Sequence, residues 1–148
     1  MIAMPARRST KSSTAIRNEA YVDTSALIAF ADRSDGFHHL FRRLFADPPP
    51  LVTTPLVVAE GHGWFIKRYD VARGLQFLSM VEVMPLNILP IGLFEQRKAT
   101  EVLRKYSDQD LTLTDAVGLH LMALRRIRVC WSTDFHLGLT KVPLVIHA

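Results

Sequence analysis

Four acidic side chains sit where a carboxylate is costly to leave alone. Asp23 separates the apolar pair Tyr21 and Val22 from the apolar run 25–31, and Glu60 lies inside a stretch rich in Leu, Val, Trp and Phe. Asp115 opens the apolar run 116–124, and Asp134 closely follows Val129, Cys130 and Trp131. A charge in such surroundings needs compensation. Carboxylates held close together repel and raise one another's pKa, a conflict that a bound divalent cation removes. Oxygen donors alone suit Mg²⁺ or Mn²⁺, whereas zinc favours His and Cys, and no Cys/His spacing in the chain makes a zinc site. Such an ion lowers the pKa of a bound water, stabilises charge on a phosphate and orients the leaving oxygen, which is the chemistry of phosphodiester cleavage; two ions about 4 Å apart do so more fully. The chain carries no glycine-rich phosphate loop and no G-x-S-x-G elbow, which narrows the field further.

Each acid also has a plainer role. Asp is a favoured helix N-cap, which would account for Asp23 alone. Asp115 falls in the first turn of a helix, where the dipole welcomes negative charge. A helical Glu is ordinarily a surface residue. Glu60, however, shares a face with Val57 and Trp64 by three- and four-residue spacing, which predicts partial burial. The case for chemistry rests on the four together.

The elements that position them follow from periodicity. A short strand ends near Val22 and a buried helix runs over 25–31, so Asp23 stands at the carboxyl end of a strand, where open α/β sheets place their crevice. Phe37, Leu40, Phe41, Leu44 and Phe45 predict a second helix, stopped by Pro48-Pro49-Pro50. Residues 51–53 form a strand. Thr54-Pro55 then caps a helix over 55–69. Gly61 and Gly63 cost that helix roughly 1 kcal/mol each and allow close approach by a neighbour, the metal site or RNA. Asp70 caps another helix with Val71, Leu75, Leu78 and Val81 inward. A third strand spans 83–88, interrupted by Pro85, and a helix over 92–106 carries a basic outer face. Asp108 and Asp110 belong to a polar loop. A central helix from Thr112 or Thr114 runs to Leu124 and ends in Arg125, Arg126 and Arg128. The strand 129–132 leads to Asp134, which repeats the placement of Asp23, and 143–146 forms a last short strand. Strands alternating with helices predict an α/β fold with a mostly parallel sheet covered on both sides.

Composition bounds the rest. The chain has 148 residues, 49% of them apolar, which suits one domain with a sizeable core. Residues 1–19 read as a disordered basic tail and 20–148 as the folded domain. Net charge is +4, but Arg7, Arg8, Lys11 and Arg17 against Glu19 place +3 in that tail. Only +1 remains for the body, so local patches must supply any nucleic-acid binding. The single Cys130 permits no intrachain disulfide and fits a reducing, cytoplasmic compartment. No apolar run approaches the roughly 20 residues of a membrane span, so no membrane partner is expected.

Four motifs, in this order and spacing, give the chain a resemblance to a known family. They are Val22-Asp23-Thr24-Ser25-Ala26-Leu27, Thr53-Thr54-Pro55-Leu56-Val57-Val58-Ala59-Glu60, the stretch from Tyr106 to Ala116 around Asp115, and Ser132-Thr133-Asp134-Phe135-His136. With them the chain resembles the PIN-domain ribonucleases, and within these the VapC-type toxins of toxin–antitoxin pairs. The resemblance covers residues 20–147. It implies a three-layer α/β/α sandwich with a short central parallel sheet and an acidic Mg²⁺ or Mn²⁺ site. By position it makes Asp23, Glu60, Asp115 and Asp134 the catalytic, metal-binding acids, with Thr24, Ser25 or Thr133 orienting a ligand or water. It further implies an RNA substrate, a homodimer and a small antitoxin whose tail enters the active-site groove. A non-catalytic RNA-binding or scaffold module of the same fold, and a metal-dependent DNA nuclease or phosphatase, remain open as alternatives.

Overall fold

In the computed structural model, which describes residues 18–147, four short parallel strands form one sheet in the order β3-β2-β1-β4. The strands are β1 (Ala20–Val22), β2 (Leu51–Thr53), β3 (Leu86–Ile88) and β4 (Val129–Trp131). Six α-helices connect them: α1 (Thr24–Ala31), α2 (His38–Ala46), α3 (Pro55–Arg68), α4 (Val71–Val83), α5 (Leu93–Lys105) and α6 (Leu113–Leu124). The expected α/β sandwich with a short parallel sheet is the observed fold. The tail expected over residues 1–19 lies almost wholly outside the described residues. Glu19, its last residue, accepts two hydrogen bonds from Arg125, at 3.0 and 2.7 Å.

The side-chain alternation of paired strands assigns the two faces. Val22 and Trp131 are register partners, as are Tyr21 and Cys130. Trp131 meets Phe45 edge-on at 4.9 Å and Phe41 at 6.4 Å, so its face is covered by α2. Tyr21 points the other way and packs on Gly118 of α6, where a Cβ would come within 2.9 Å of its ring. Helix α6 is central as expected, with Asp115 through Leu119, Leu121 and Met122 buried. It ends with Arg126 at φ 55. The Arg126 and Ile127 N–H groups bond the carbonyls of Ala123 and Met122. This closed C-terminal turn reverses the chain into β4 without a glycine.

Helices α3 and α4 pack through glycines. A Cβ on Gly61 would overlap the Phe77 ring, and one on Gly74 would meet Ile66 and His62. Gly63 has no such neighbour among the described residues. This packing changes two expectations. Gly61, not Glu60, takes the buried position between Val57 and Phe65, and Glu60 is exposed. Helix α4 turns Gly74, Phe77 and Val81 inward, leaving Val71 and Leu75 exposed. Two strand expectations also change. Val83 ends α4, so β3 begins only at Leu86, after Pro85. Residues 143–146 contribute a single bridge from Leu144 to Cys130, and Val145–His147 then turn as a 3₁₀ helix.

The glycine packing separates two substitutions of the same kind. Gly61→Ala should destabilise by about 1–3 kcal/mol through overpacking against Phe77. Gly63→Ala should leave stability unchanged or raise it by up to about 1 kcal/mol through helix propensity. Urea unfolding of the two variants checks the contrast; equal effects would contradict the packing.

Candidate metal centre

The order β3-β2-β1-β4 puts a topological switch point between β1 and β4. The chain steps outward from β1 to β3 on one side and returns to the other side with β4. Ligand crevices of open α/β sheets lie at the carboxyl ends of the strands flanking such a point. Asp23 directly follows β1, and Asp134 lies just beyond β4. A pocket of about 360 Å³ opens there, and Asp23, Glu60, Asp115 and Asp134 all line it. Thr24, Ser25, Ile28, Gly63, Trp64 and Lys67 complete its wall.

Strand register builds the deepest part of the site. The Asp23 N–H donates to Trp131 O at 3.0 Å, so Asp23 and Ser132 leave the sheet side by side. Ser132 Oγ donates to Asp23 Oδ2 at 2.9 Å, and Ser25 Oγ donates to the same oxygen at 3.0 Å. Each hydroxyl in turn accepts a backbone N–H at 2.9 Å, from Asp134 at Ser132 and from Thr133 at Ser25. One proton per hydroxyl satisfies this arrangement. Asp23 occupies the N-cap position of α1 yet makes no capping hydrogen bond. Its side chain is committed to the serines and the pocket, which sets aside the plain capping role. Burial raises its pKa to about 6, against the lowering effect of Ser132, Ser25 and the Thr24 N–H; nearby Asp115 pushes it up further.

The other acids are held by their own elements. Asp115 is buried in the first turn of α6. Its Oδ2 accepts the Thr112 N–H at 3.1 Å, while its own N–H donates to Thr112 Oγ1 at 3.1 Å. Here the plain helix-start role and the place on the pocket wall coexist. Asp134 is half-buried, and its Oδ1 accepts the His136 N–H at 3.0 Å and lies 3.0 Å from His136 Nδ1. Glu60 stands exposed at the rim. Among the described residues, no three His, Cys, Asp or Glu side chains close to the spacing of ligands on one ion. The four acids line the walls of one pocket rather than meeting at a point, because three are tethered to separate elements and like charges repel.

The donor set nonetheless fits a hard cation. It is all oxygen, as Mg²⁺ and Mn²⁺ prefer. The buried Thr24 Oγ1, on the same wall, has no hydrogen-bond partner among the described residues. Such an orphaned oxygen is one that an ion or an ordered water would satisfy.

Ser132 and Lys67 enter the site beyond the residues expected. Ser132, fully buried, supplies the hydroxyl on Asp23, while Thr133 contributes through its backbone N–H. Lys67 is a cation on an acidic wall. It follows Glu60, Gly63 and Trp64 at seven-, four- and three-residue spacing, so the four share one stripe of α3. Asp32 is also buried, but its oxygens serve Ser34 and the Tyr69 hydroxyl, at 2.8 and 2.9 Å. Asp108 and Asp110 lie exposed in their loop.

The protein is a parallel α/β sandwich with carboxylates gathered at its switch point. Residues 20–141 match the family model of the PIN domain, and the chain belongs to that family. A curated relative, Ribonuclease VapC26 of Mycobacterium tuberculosis, is 28% identical over 114 residues, covering 76% of this chain and 84% of the relative. The crystal structure of Mycobacterium tuberculosis VapC20, described as a sarcin-ricin loop cleaving toxin, superposes with a TM-score of 0.76 at 18% identity, covering 83% of this chain and 95% of the other. A toxin–antitoxin complex from Klebsiella pneumoniae matches with a TM-score of 0.57 at 22% identity, covering 85% and 95% of the two chains. At those identities the two structures share the fold.

The raised pKa of Asp23 predicts a pH-dependent stability in the presence of EDTA. Between its ordinary value of 3.8 and about 6, Asp23 keeps its proton in the folded chain and loses it in the unfolded one. The folded state therefore binds more protons there, and stability falls as pH rises through that window and levels off above it. Asp23→Asn should remove this loss and be more stable than the parent near pH 8, by up to about 3 kcal/mol. Denaturant unfolding of both proteins across pH checks it; parallel curves would contradict the assignment.

Proposed function

We propose that the protein is a metal-dependent endoribonuclease acting as the toxin of a toxin–antitoxin pair. The observation that carries this reading is the sharing of one switch-point pocket by Asp23, Glu60, Asp115 and Asp134 in a chain of the PIN domain family. The ribonuclease relative supports the substrate class. Asp23, Glu60, Asp115 and Asp134 are the residues that would hold Mg²⁺ or Mn²⁺, which when bound supplies a water of lowered pKa and positive charge beside the scissile phosphate.

The chain's own groups prepare that chemistry. Ser132 and Ser25 hold the Asp23 carboxylate at a fixed angle. Thr112 and His136 do the same for Asp115 and Asp134. The Thr24 hydroxyl orients a water or a phosphate oxygen. Lys67 lies about 10 Å along α3 from Glu60, at 1.5 Å per residue. It meets a phosphate of the bound strand beyond the scissile one and offsets the repulsion between acids and RNA. Gly63 leaves that stripe of the helix bare, so the backbone of the strand can approach it.

No helix among the described residues is long and apolar enough to cross a membrane. The protein acts in the cytoplasm as a homodimer, and a small antitoxin silences it by entering the same groove. The likeness to a toxin–antitoxin complex supports the partner.

The reading is tested by incubating the purified protein with total RNA in Mg²⁺, Mn²⁺ or EDTA. Cleavage should require the metal. Asp23→Asn and Asp115→Asn should each reduce it more than about 100-fold, and Ser132→Ala by about 10-fold, the usual size of an outer-shell effect. Lys67→Ala should raise KM severalfold while kcat holds. Full activity in either Asp variant would overturn the site. Metal-dependent cutting of DNA in preference to RNA would favour the nuclease or phosphatase alternative.

A further inference from the structure

Phe135 is the most exposed aromatic ring among the described residues, at 71%. A singly exposed apolar side chain needs no explanation by itself. Three observations set this one apart. First, its ring stacks on His136, with centroids 4.8 Å apart and planes within 25°. Second, that support is fixed: both the backbone N–H and the Nδ1 of His136 are 3.0 Å from Asp134 Oδ1. The short turn Phe135–Gly138 that carries both rings is anchored by the fully buried Leu137. Third, the residue directly before Phe135 is Asp134, one of the acids lining the pocket.

We infer that Phe135, backed by His136, is a base-stacking platform for the RNA strand that enters the acidic pocket, an inference that rests on the ribonuclease reading above. The argument is one of charge. A pocket lined by four carboxylates repels a phosphate backbone wherever the bound cation does not offset it, and among the described residues Lys67 is the one cation on its wall. Contacts that carry no charge add affinity beside it without that repulsion. Stacking of a nucleobase on an exposed aromatic face supplies this and is tolerant of base identity. A base stacks on a protein ring only when it is free of its own partner strand. The platform therefore selects a strand with an unpaired base beside the cleaved phosphate. Phe135 is a positioning residue, since its ring stands outside the acids.

The test uses the full chain and a short fluorescein-labelled single-stranded RNA of mixed sequence, alone and annealed into a duplex. Binding is read by anisotropy in the Asp23→Asn background, and cleavage with Mn²⁺ in the parent. Phe135→Ala should weaken single-strand binding and raise KM about tenfold, with kcat within about twofold, the scale of one lost stack. Phe135→Trp should restore both. Duplex binding should not respond. The melting temperature of Phe135→Ala should match the parent, because the ring is exposed. Unchanged single-strand affinity and KM in Phe135→Ala, or an equal loss on the duplex, overturns the inference while leaving the ribonuclease reading intact. Failure of the parent chain to bind and cut RNA at all overturns both.

Discussion

The site depends on one unfavourable act, the burial of the Asp23 carboxylate at the end of the central strand. Only 4% of the residue is exposed, and burial lifts its pKa to about 6. Such a group persists in a folded protein only when hydrogen bonds and neighbours hold it. The holding is done from across the sheet. Parallel pairing of β1 with β4 delivers Ser132 to Asp23, and the turn into α1 delivers Ser25 to the same oxygen. Thr53 Oγ1 donates to Val22 O at 2.7 Å and ties β2 to the same strand end. The edge-on contact of Trp131 with Phe45 and the packing of Tyr21 on Gly118 lock the two strands from both faces.

Helix α3 shows how one short element serves both core and site. Val57, Gly61 and Phe65 form its buried side, with Gly61 closed over by Phe77. Glu60, Gly63, Trp64 and Lys67 form the stripe that lines the pocket. The two glycines that weaken the helix have different reasons to be there. Gly61 admits α4, while Gly63 keeps the pocket side of the helix bare.

Much of this was legible in the sequence, for physical reasons. Asp23 and Asp134 are visible because each interrupts or follows an apolar run, and a strand end is a local feature. Asp115 is visible because a helix start has its own signature in Thr112 and the following apolar run. Ser132 is different: its role comes from the register between strands more than a hundred residues apart, which no local pattern carries. Glu60 and Lys67 turn on helix phase. The spacing of Val57, Glu60 and Trp64 predicts a partly buried glutamate, but the face is set by Gly61 meeting Phe77, a contact from the next helix. Val71 and Leu75 were misplaced for the same reason. The last expected strand is reduced to a single bridge at Leu144, because the chain turns into a 3₁₀ helix at Val145.

The central claim is that this acidic pocket holds a divalent cation against Asp23. Anomalous diffraction from crystals grown with Mn²⁺ locates the ion directly. The account predicts a peak inside the pocket, bonded to Asp23 and within reach of Asp115 and Asp134, and absent in Asp23→Asn. A peak elsewhere, or none at Mn²⁺ concentrations that support RNA cleavage, would contradict it.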